Sequence, residues 1–300
     1  MPSSALNSRH RTWLAIMIAA HCMMVSTLSL AAEPAPGPQH VMSLSECTDA
    51  LLLDLLPPQR IASVTYLAHR SVDPALAARA ARVGINFGNS EEVLAQAPDL
   101  VLAGTYSTPA ARALLRQLHA PMVVVAPANN FDEIRSSVRT VASALGVAER
   151  GETLLSEMDA TLAAVALTRP ARTIRVAAWN GSGYVPGKDS LFNAVLEAAG
   201  ASNIAATGGM GYGSIDIEQL LTAQPDVLAY GAEQDAPALV TDTAEHPLLR
   251  RLYASRRITY PQLYVECGLP ESANAAQALQ AQLLAVLHST MPRNQGAGAP

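Results

Sequence analysis

The chain has 300 residues, half of them hydrophobic and 15% charged, with a formal net charge of −5. That balance leaves no basic face for nucleic acid and no polybasic patch for a membrane surface. The length exceeds what one hydrophobic core normally serves, so two lobes are the expected plan.

At the N-terminus, Arg9, His10 and Arg11 precede an apolar stretch from Trp13 to Leu30, which gives way to Ala31, Ala32 and the proline-rich run Glu33 to Pro38. Basic, apolar and small-residue regions in that order predict a secretory signal peptide over residues 1–32, removed on export to the periplasm. A single anchoring helix is the alternative, but His21 and Ser26 dilute the apolar run. Cys22 does not read as a lipidation site, because His21 before it is too large for the small residue expected there. Removal of the leader leaves two cysteines, Cys47 and Cys267, in a chain bound for an oxidising compartment. They are expected to form a disulfide, with two separately buried thiols as the alternative. No CxxC occurs, which argues against a zinc ribbon or a thioredoxin-type site.

Along the mature chain, β-branched runs alternate with Ala/Leu-rich helical patterns, the signature of α/β layers with mostly parallel sheets. Strands are expected near Ile61–Val64, Leu100–Ala103, Met122–Val125, Ile174–Ala178, Val227–Tyr230 and Arg257–Tyr260. Among the helices between them, Ala110–Leu118 ends before His119-Ala120-Pro121, and Ser190–Ala199 starts at a serine N-cap and stops at Gly200. From Asp132 to Thr168 the pattern is helical almost throughout, broken only around Gly146. A helix from Ala148 to Thr168 would run roughly 30 Å, long enough to cross between two lobes. A helix-turn-helix packed on one lobe is the alternative. The expected division is an N-terminal lobe over 33–147, a connecting helix over 148–170, a C-terminal lobe over 171–288 and a flexible tail over 289–300.

One segment occurs twice. Glu91 to Gly104 matches Glu218 to Gly231 at a constant offset, with Glu, Leu, Pro, Asp and Gly coinciding. In each copy a helix begins near the Glu, Pro ends it, and Asp turns the chain into a buried strand. Glu91 and Glu218 lie in first turns, where a carboxylate interacts favourably with the helix dipole, and Asn89 with Glu92 resembles a capping box. Capping explains either acid alone but not a matched pair, one per lobe.

In parallel α/β sheets, ligands bind beyond the C-terminal ends of the strands. The loops there are Thr65–Tyr66, Gly104–Thr108, Pro127–Asn130, Trp179–Tyr184 and the position of Glu233, with Gly208–Ser214 as a further glycine-rich loop carrying Tyr212. Their hydroxyls, amides and aromatic faces suit a bulky, partly apolar ligand. Tyr66, Tyr106, Trp179, Tyr184, Tyr212 and Glu233 are therefore the candidate ligand contacts; for any single tyrosine, packing with its hydroxyl tied off is the competing role. Catalytic templates fail in turn. Asn180-Gly181-Ser182-Gly183 lacks the spacing of a nucleophile elbow. Gly209 to Ser214 resembles a dinucleotide loop, but Ser214 replaces the last glycine and the run before it is weak as a strand. His40, His69, His119, His246 and His288 are scattered, without HxH or HExxH, so neither a metal centre nor a cofactor is expected; His69, close to Tyr66, could reach a metal carried by the ligand. With no paired acid/base or nucleophile constellation, the reading is a binding protein and no enzyme.

Taken in order, Cys47-Thr48-Asp49 with Arg60-Ile61-Ala62-Ser63, Glu91 to Asp99, the long mid-chain helix, Pro186-Gly187-Lys188-Asp189-Ser190, Glu218 to Asp226 and Cys267-Gly268 resemble the periplasmic solute-binding proteins that serve ABC importers of cobalamin and ferric siderophores. The resemblance runs from about Val41 to Leu284. It implies an α/β fold of two Rossmann-like lobes joined by a rigid helix, with the ligand between them and limited hinge closure. It also implies a glutamate on each lobe that pairs with arginines of the transmembrane subunits, and Glu91 and Glu218 fall on those positions. The implied partners are a small-molecule metal chelate and the ABC permease and ATPase subunits at the inner membrane, with the chain acting as a monomer. A cobalamin-type corrinoid or a ferric siderophore is the expected ligand, with heme or a bare zinc or manganese ion as alternatives and a bilobed chelatase-like enzyme further off. No dense Arg/Lys cluster appears in the loops, which argues against a highly anionic catecholate. The family's usual Gly-Gly after the late cysteine is Gly268-Leu269 here, so that part of the cleft is expected to differ.

Overall fold

The computed structural model describes residues 37–107, 109–179, 184–207, 213–231 and 246–290. The expected leader and residues 291–300 lie outside them.

In the first half, β1 (Val41–Ser43), β2 (Ile61–Thr65), β3 (Gly84–Asn86), β4 (Leu100–Gly104) and β5 (Met122–Val125) form a sheet in the order β3-β2-β1-β4-β5. Every neighbouring pair is parallel. Parallel strands need crossovers, and these are α1 (Glu46–Leu55), the short α2 (Tyr66–His69), α3 (Pro74–Ala80), α4 (Ser90–Gln96) and α5 (Pro109–Gln117). After β5 come α6 (Phe131–Ala144) and α7 (Ala148–Leu167). The chain turns between them at Gly146, whose φ of 69° suits a residue without Cβ.

In the second half, β6 (Ile174–Ala178), β8 (Ala201–Asn203), β10 (Val227–Gly231) and β11 (Arg257–Tyr260) form a parallel sheet in the order β11-β10-β6-β8. A separate antiparallel pair joins β7 (Tyr184–Val185) to β9 (Gly213–Ser214). The helices are α8 (Leu191–Ala198), capped by Ser190, then α9 (Ile204–Thr207), α10 (Ile217–Ala223), α11 (Pro247–Leu252), α12 (Leu263–Glu266) and α13 (Ser272–Thr290). The six strands expected from sequence are all present, as is the helix beginning at Ala148. The strands that sequence reasoning missed, β1, β3, β7, β8 and β9, have two or three residues each, too few for alternation to show.

The two sheets share one core. A single buried cluster takes in Val41 and Leu102 from the first sheet, Val176 and Ala229 from the second, Leu155 and Met158 of α7, and Leu279 and Leu283 of α13. Helix α7 packs on α6 on one side and on α13 on the other, which puts it between the lobes, as the crossing-helix reading expects. Its buried Gly151, Leu154, Leu155 and Met158 recur at helical spacing, as a face between two neighbours requires. Gln280 of α13 donates from Nε2 to the Val165 carbonyl (2.9 Å) and accepts from Thr168 Oγ1 (2.7 Å), tying the C-terminal end of α7 to the second lobe. No described helix is long and apolar enough to cross a membrane.

The duplicated segment has a structural job in each lobe. Helices α4 and α10 both end on a left-handed residue, Ala97 (φ 44°) and Gln224 (φ 47°), ahead of Pro and Asp. Each Asp then ties its strand to the neighbour. Asp99 accepts from the backbone N–H of Gln39 (2.5 Å) and of His40 (3.0 Å), beside β1, while its own N–H donates to the His40 carbonyl. Asp226 repeats this against Arg175 of β6, accepting at 2.9 Å and donating at 2.7 Å.

Candidate functional site

The C-terminal ends of β2, β3 and β4 carry exposed aromatic residues. Tyr66 opens α2 directly after β2 and is 36% exposed, Phe87 follows β3 at 63%, and Tyr106 stands in the turn after β4 at 84%. The Tyr66 and Phe87 rings stack, with centroids 5.4 Å apart and planes at 22°. Exposed Leu67 and Val72 extend the apolar surface beside Tyr66. Beside it opens a pocket of about 320 Å³, lined by Glu46, Tyr66, Leu67, Arg70, Ser71 and Val72.

Polar contacts beneath the aromatics hold them in place. Asp49 of α1 accepts from the Thr65 backbone N–H (3.1 Å) and from Thr65 Oγ1 (2.5 Å), which fixes the last residue of β2 and hence the position of Tyr66. Burial pushes the Asp49 carboxyl up to about 7, against the opposing hydrogen bonds from Ser43 and Thr65. Asn86 donates from Nδ2 to the Ser43 carbonyl and to Ser63 Oγ, each 3.0 Å, and accepts from the Gly88 N–H, so one side chain spans the ends of three strands. The Phe87 N–H donates to Glu92 Oε2 (2.8 Å). Tyr106 sits in a turn closed by Gly104 N–H donating to Ser107 Oγ and Arg112 Nε donating to the Ser107 carbonyl, both at 2.9 Å.

The other expected contacts fall differently. Trp179, expected to wall the cleft, is 1% exposed and packs with Val185, Leu220, Leu249 and Tyr253; its indole N–H is buried and meets no acceptor among the described residues. The reason is its backbone, which continues the strand pattern by donating to the Ala229 carbonyl (2.9 Å) and aims the ring into the core. Tyr184 pairs through its backbone with Ser214, while its side chain lies outside the described residues, as do Tyr212, Glu233 and the 180–183 motif. In the 127–130 loop, Asn130 caps α6, and the Asn129 N–H donates to Glu133 (2.8 Å). His69 turns its Nε2 to the Gly84 carbonyl (3.4 Å). Among the described residues no group of three or more His, Cys, Asp and Glu could hold a metal ion.

Sequence reasoning missed Phe87, Leu67, Val72 and Arg70. The available signal was the alternation Ile85, Phe87 before Gly88-Asn89, too short to read as a strand end.

Glu91 and Glu218 are both exposed, each the second residue of its helix. Capping is done by others: Asn89 accepts from the Glu92 N–H in the first copy, and Asp216 with Gln219 forms a complete capping box in the second. Cys47, in α1, and Cys267, after α12, form a disulfide across 220 residues of sequence, with Cα atoms 5.1 Å apart. Next to it Gly268 lies so near the first lobe that an added Cβ would come 2.3 Å from Ala128 Cβ. Leu269, in place of a second glycine, is a core residue at 1% exposure.

Comparison with known proteins agrees with this architecture. A family model described as periplasmic binding protein matches residues 41–257. The periplasmic heme-binding protein RhuT from Roseiflexus sp. RS-1, in apo form, aligns with a TM-score of 0.71 at 23% identity, over 83% of this chain and 99% of that one. The periplasmic vitamin B12 binding protein BtuF of Vibrio cholerae aligns at 0.65 and 17% identity, over 83% and 98% of the two chains. A cobalamin-binding protein of Halobacterium salinarum is 28% identical over 152 residues, 49% of this chain and 41% of that protein, so the chain spans less than half the length of that relative. The structural likenesses establish the fold, and the family match covers the first sheet, the long helix and the second sheet as far as the start of β11. The chain belongs to the periplasmic binding protein family.

Proposed function

We propose that this chain is the substrate-binding component of an ABC importer, exported to the periplasm, which captures a metal chelate in the cleft between its lobes and delivers it to the membrane permease and its ATPase. The observation that carries the reading is the stacked, solvent-facing Tyr66–Phe87 pair at the strand ends, next to the open pocket, with exposed Tyr106 after β4 in the same sheet. Such a surface has no folding rationale, because exposed aromatic area costs free energy until something flat and apolar covers it. A cobalamin-type corrinoid or a ferric siderophore fits that description. Heme is the second reading, favoured by the same flat aromatic face, and the similar solved proteins include heme binders.

Fluorescence quenching of the mature protein tests this. Trp179 is the reporter, since the other tryptophan, Trp13, lies in the expected leader. Although Trp179 is buried, energy transfer to an absorbing chelate needs no contact. Saturable quenching by cobalamin, heme or a ferric siderophore is expected, weakened about tenfold by Tyr66→Ala and again by Phe87→Ala. No response to any of them, with tight zinc binding instead, overturns the ligand class. Glu91 and Glu218 are proposed as the docking points on the permease, since two separated carboxylates orient a bilobed protein on a two-fold symmetric partner. Reversing both to Lys is expected to leave ligand affinity intact and abolish uptake; unimpaired transport by the double variant refutes the assignment.

A further inference from the structure

The segment 261–272 leaves the second sheet and lies back against the first lobe, and three contacts fasten it there. The Cys47–Cys267 disulfide holds it to the start of α1, and the Tyr264 hydroxyl donates to Asp73. The third contact is the unusual one. Asp54, at the other end of α1, has a side chain only 6% exposed and meets the carboxyl of Glu271, just ahead of α13, within hydrogen-bonding reach. Asp54 Oδ2 and Glu271 Oε2 are both buried, and among the described residues no N–H or O–H donor reaches either of them.

Two ionised carboxylates in such contact would repel across a junction that the rest of the fold holds closed. The surrounding charges do not resolve this. Arg79 Nη1 pairs with Asp54 Oδ1 at 2.5 Å, but one guanidinium neutralises one carboxylate, and its own Nε is buried without an acceptor. Arg150 hydrogen-bonds the Asp54 backbone carbonyl through Nε at 3.2 Å, and its charge acts on the carboxyl without a hydrogen bond to it. Asp73, with the Tyr264 hydroxyl on it, adds a further negative charge beside Arg79. A single proton supplies what the geometry lacks: a donor for two orphaned oxygens and neutrality for one excess charge.

We infer that Asp54 and Glu271 share one proton, and that this proton clasps the 261–272 segment to the first lobe, so that its loss at alkaline pH loosens the junction between the lobes. The electrostatics agree in direction: burial first, then the Glu271 charge, raises Asp54 from 3.8 to about 8, with Arg79 and Arg150 opposing. Since that folded value lies above the unfolded one, the stability due to the protonated clasp is fully present below about 4 and is lost as pH rises through about 8.

The test uses the full mature protein without ligand. Amide hydrogen exchange over residues 261–272, corrected for intrinsic chemistry, is compared at pH 6 and pH 9 in the wild type and in Glu271→Gln, whose amide donates to Asp54 without a titrating proton. One pH unit beyond the midpoint corresponds to roughly a tenfold change in protonation, so a wild-type rise of about tenfold is expected, against less than about twofold in the variant. In an Asp49→Asn background, which removes the other buried carboxyl, the infrared band of a protonated carboxyl is expected to disappear between pH 6 and pH 10 and to be missing at pH 6 in Asp54→Asn. Equal pH dependence of exchange in wild type and variant, or no such band in the Asp49→Asn protein at pH 6, overturns the inference. Should Glu271→Gln fail to fold, Asp54→Asn replaces it and the infrared titration still decides.

Discussion

Removing the disulfide gives the most direct measure of how the two lobes are tied together. Replacing Cys47 and Cys267 with alanine frees a loop spanning 220 residues in the unfolded chain. On the chain-entropy account, a loop of that length is worth about 5 kcal/mol. For a protein of this size each kcal/mol moves the midpoint by about 2–4 °C, so a fall in Tm of roughly 10–20 °C is expected by circular dichroism. Cys267 is buried at 4% exposure, so the alanine variant also leaves a small void. Chemical reduction of the wild type leaves none, and comparing the two separates packing from entropy. If the effect is the cross-link itself, reduced wild type and double variant lose nearly the same stability, and both show a steeper denaturant slope than the cross-linked protein, because the freed unfolded chain exposes more surface. A fall below about 3 °C in both would show that the cross-link takes little entropy from the unfolded chain. The entropic reasoning would then be refuted.

Two further outcomes follow from single contacts. Gly268→Ala drives a methyl to 2.3 Å from Ala128 Cβ and should cost about 1–3 kcal/mol in urea unfolding; adding Ala128→Gly should restore most of it, and an additive pair of losses would deny the contact. Asp49→Asn removes a carboxyl that burial raises to about 7, so wild-type stability that declines from about pH 4 through pH 7 should decline less in the variant; an unchanged pH profile would place the titration elsewhere.

Much of the plan was legible along the chain. The strand at Ile174–Ala178 and the helix from Ala148 each form from their own hydrophobic period and their own flanking breakers, which are local properties. The duplicated Glu-to-Gly segment announced two equivalent units because the same Pro-Asp turn solves the same local problem twice. The two cysteines outside the expected leader were expected to bond, and they do. What stayed hidden depends on neighbours distant in sequence. Tyr66 and Trp179 both follow a strand and look alike in sequence, yet one is 36% exposed and the other 1%; the difference lies in what packs above each strand end. Phe87 enters the site only because β3 pairs beside β2 and brings its ring onto Tyr66. Nothing in the sequence singles out Asp54 or Glu271, and only the return of the 261–272 segment to the first lobe sets them against each other. Local periodicity thus determined the elements and their order, while burial, stacking and shared charge were decided by tertiary packing, because those quantities belong to pairs of residues that meet only when the chain has folded.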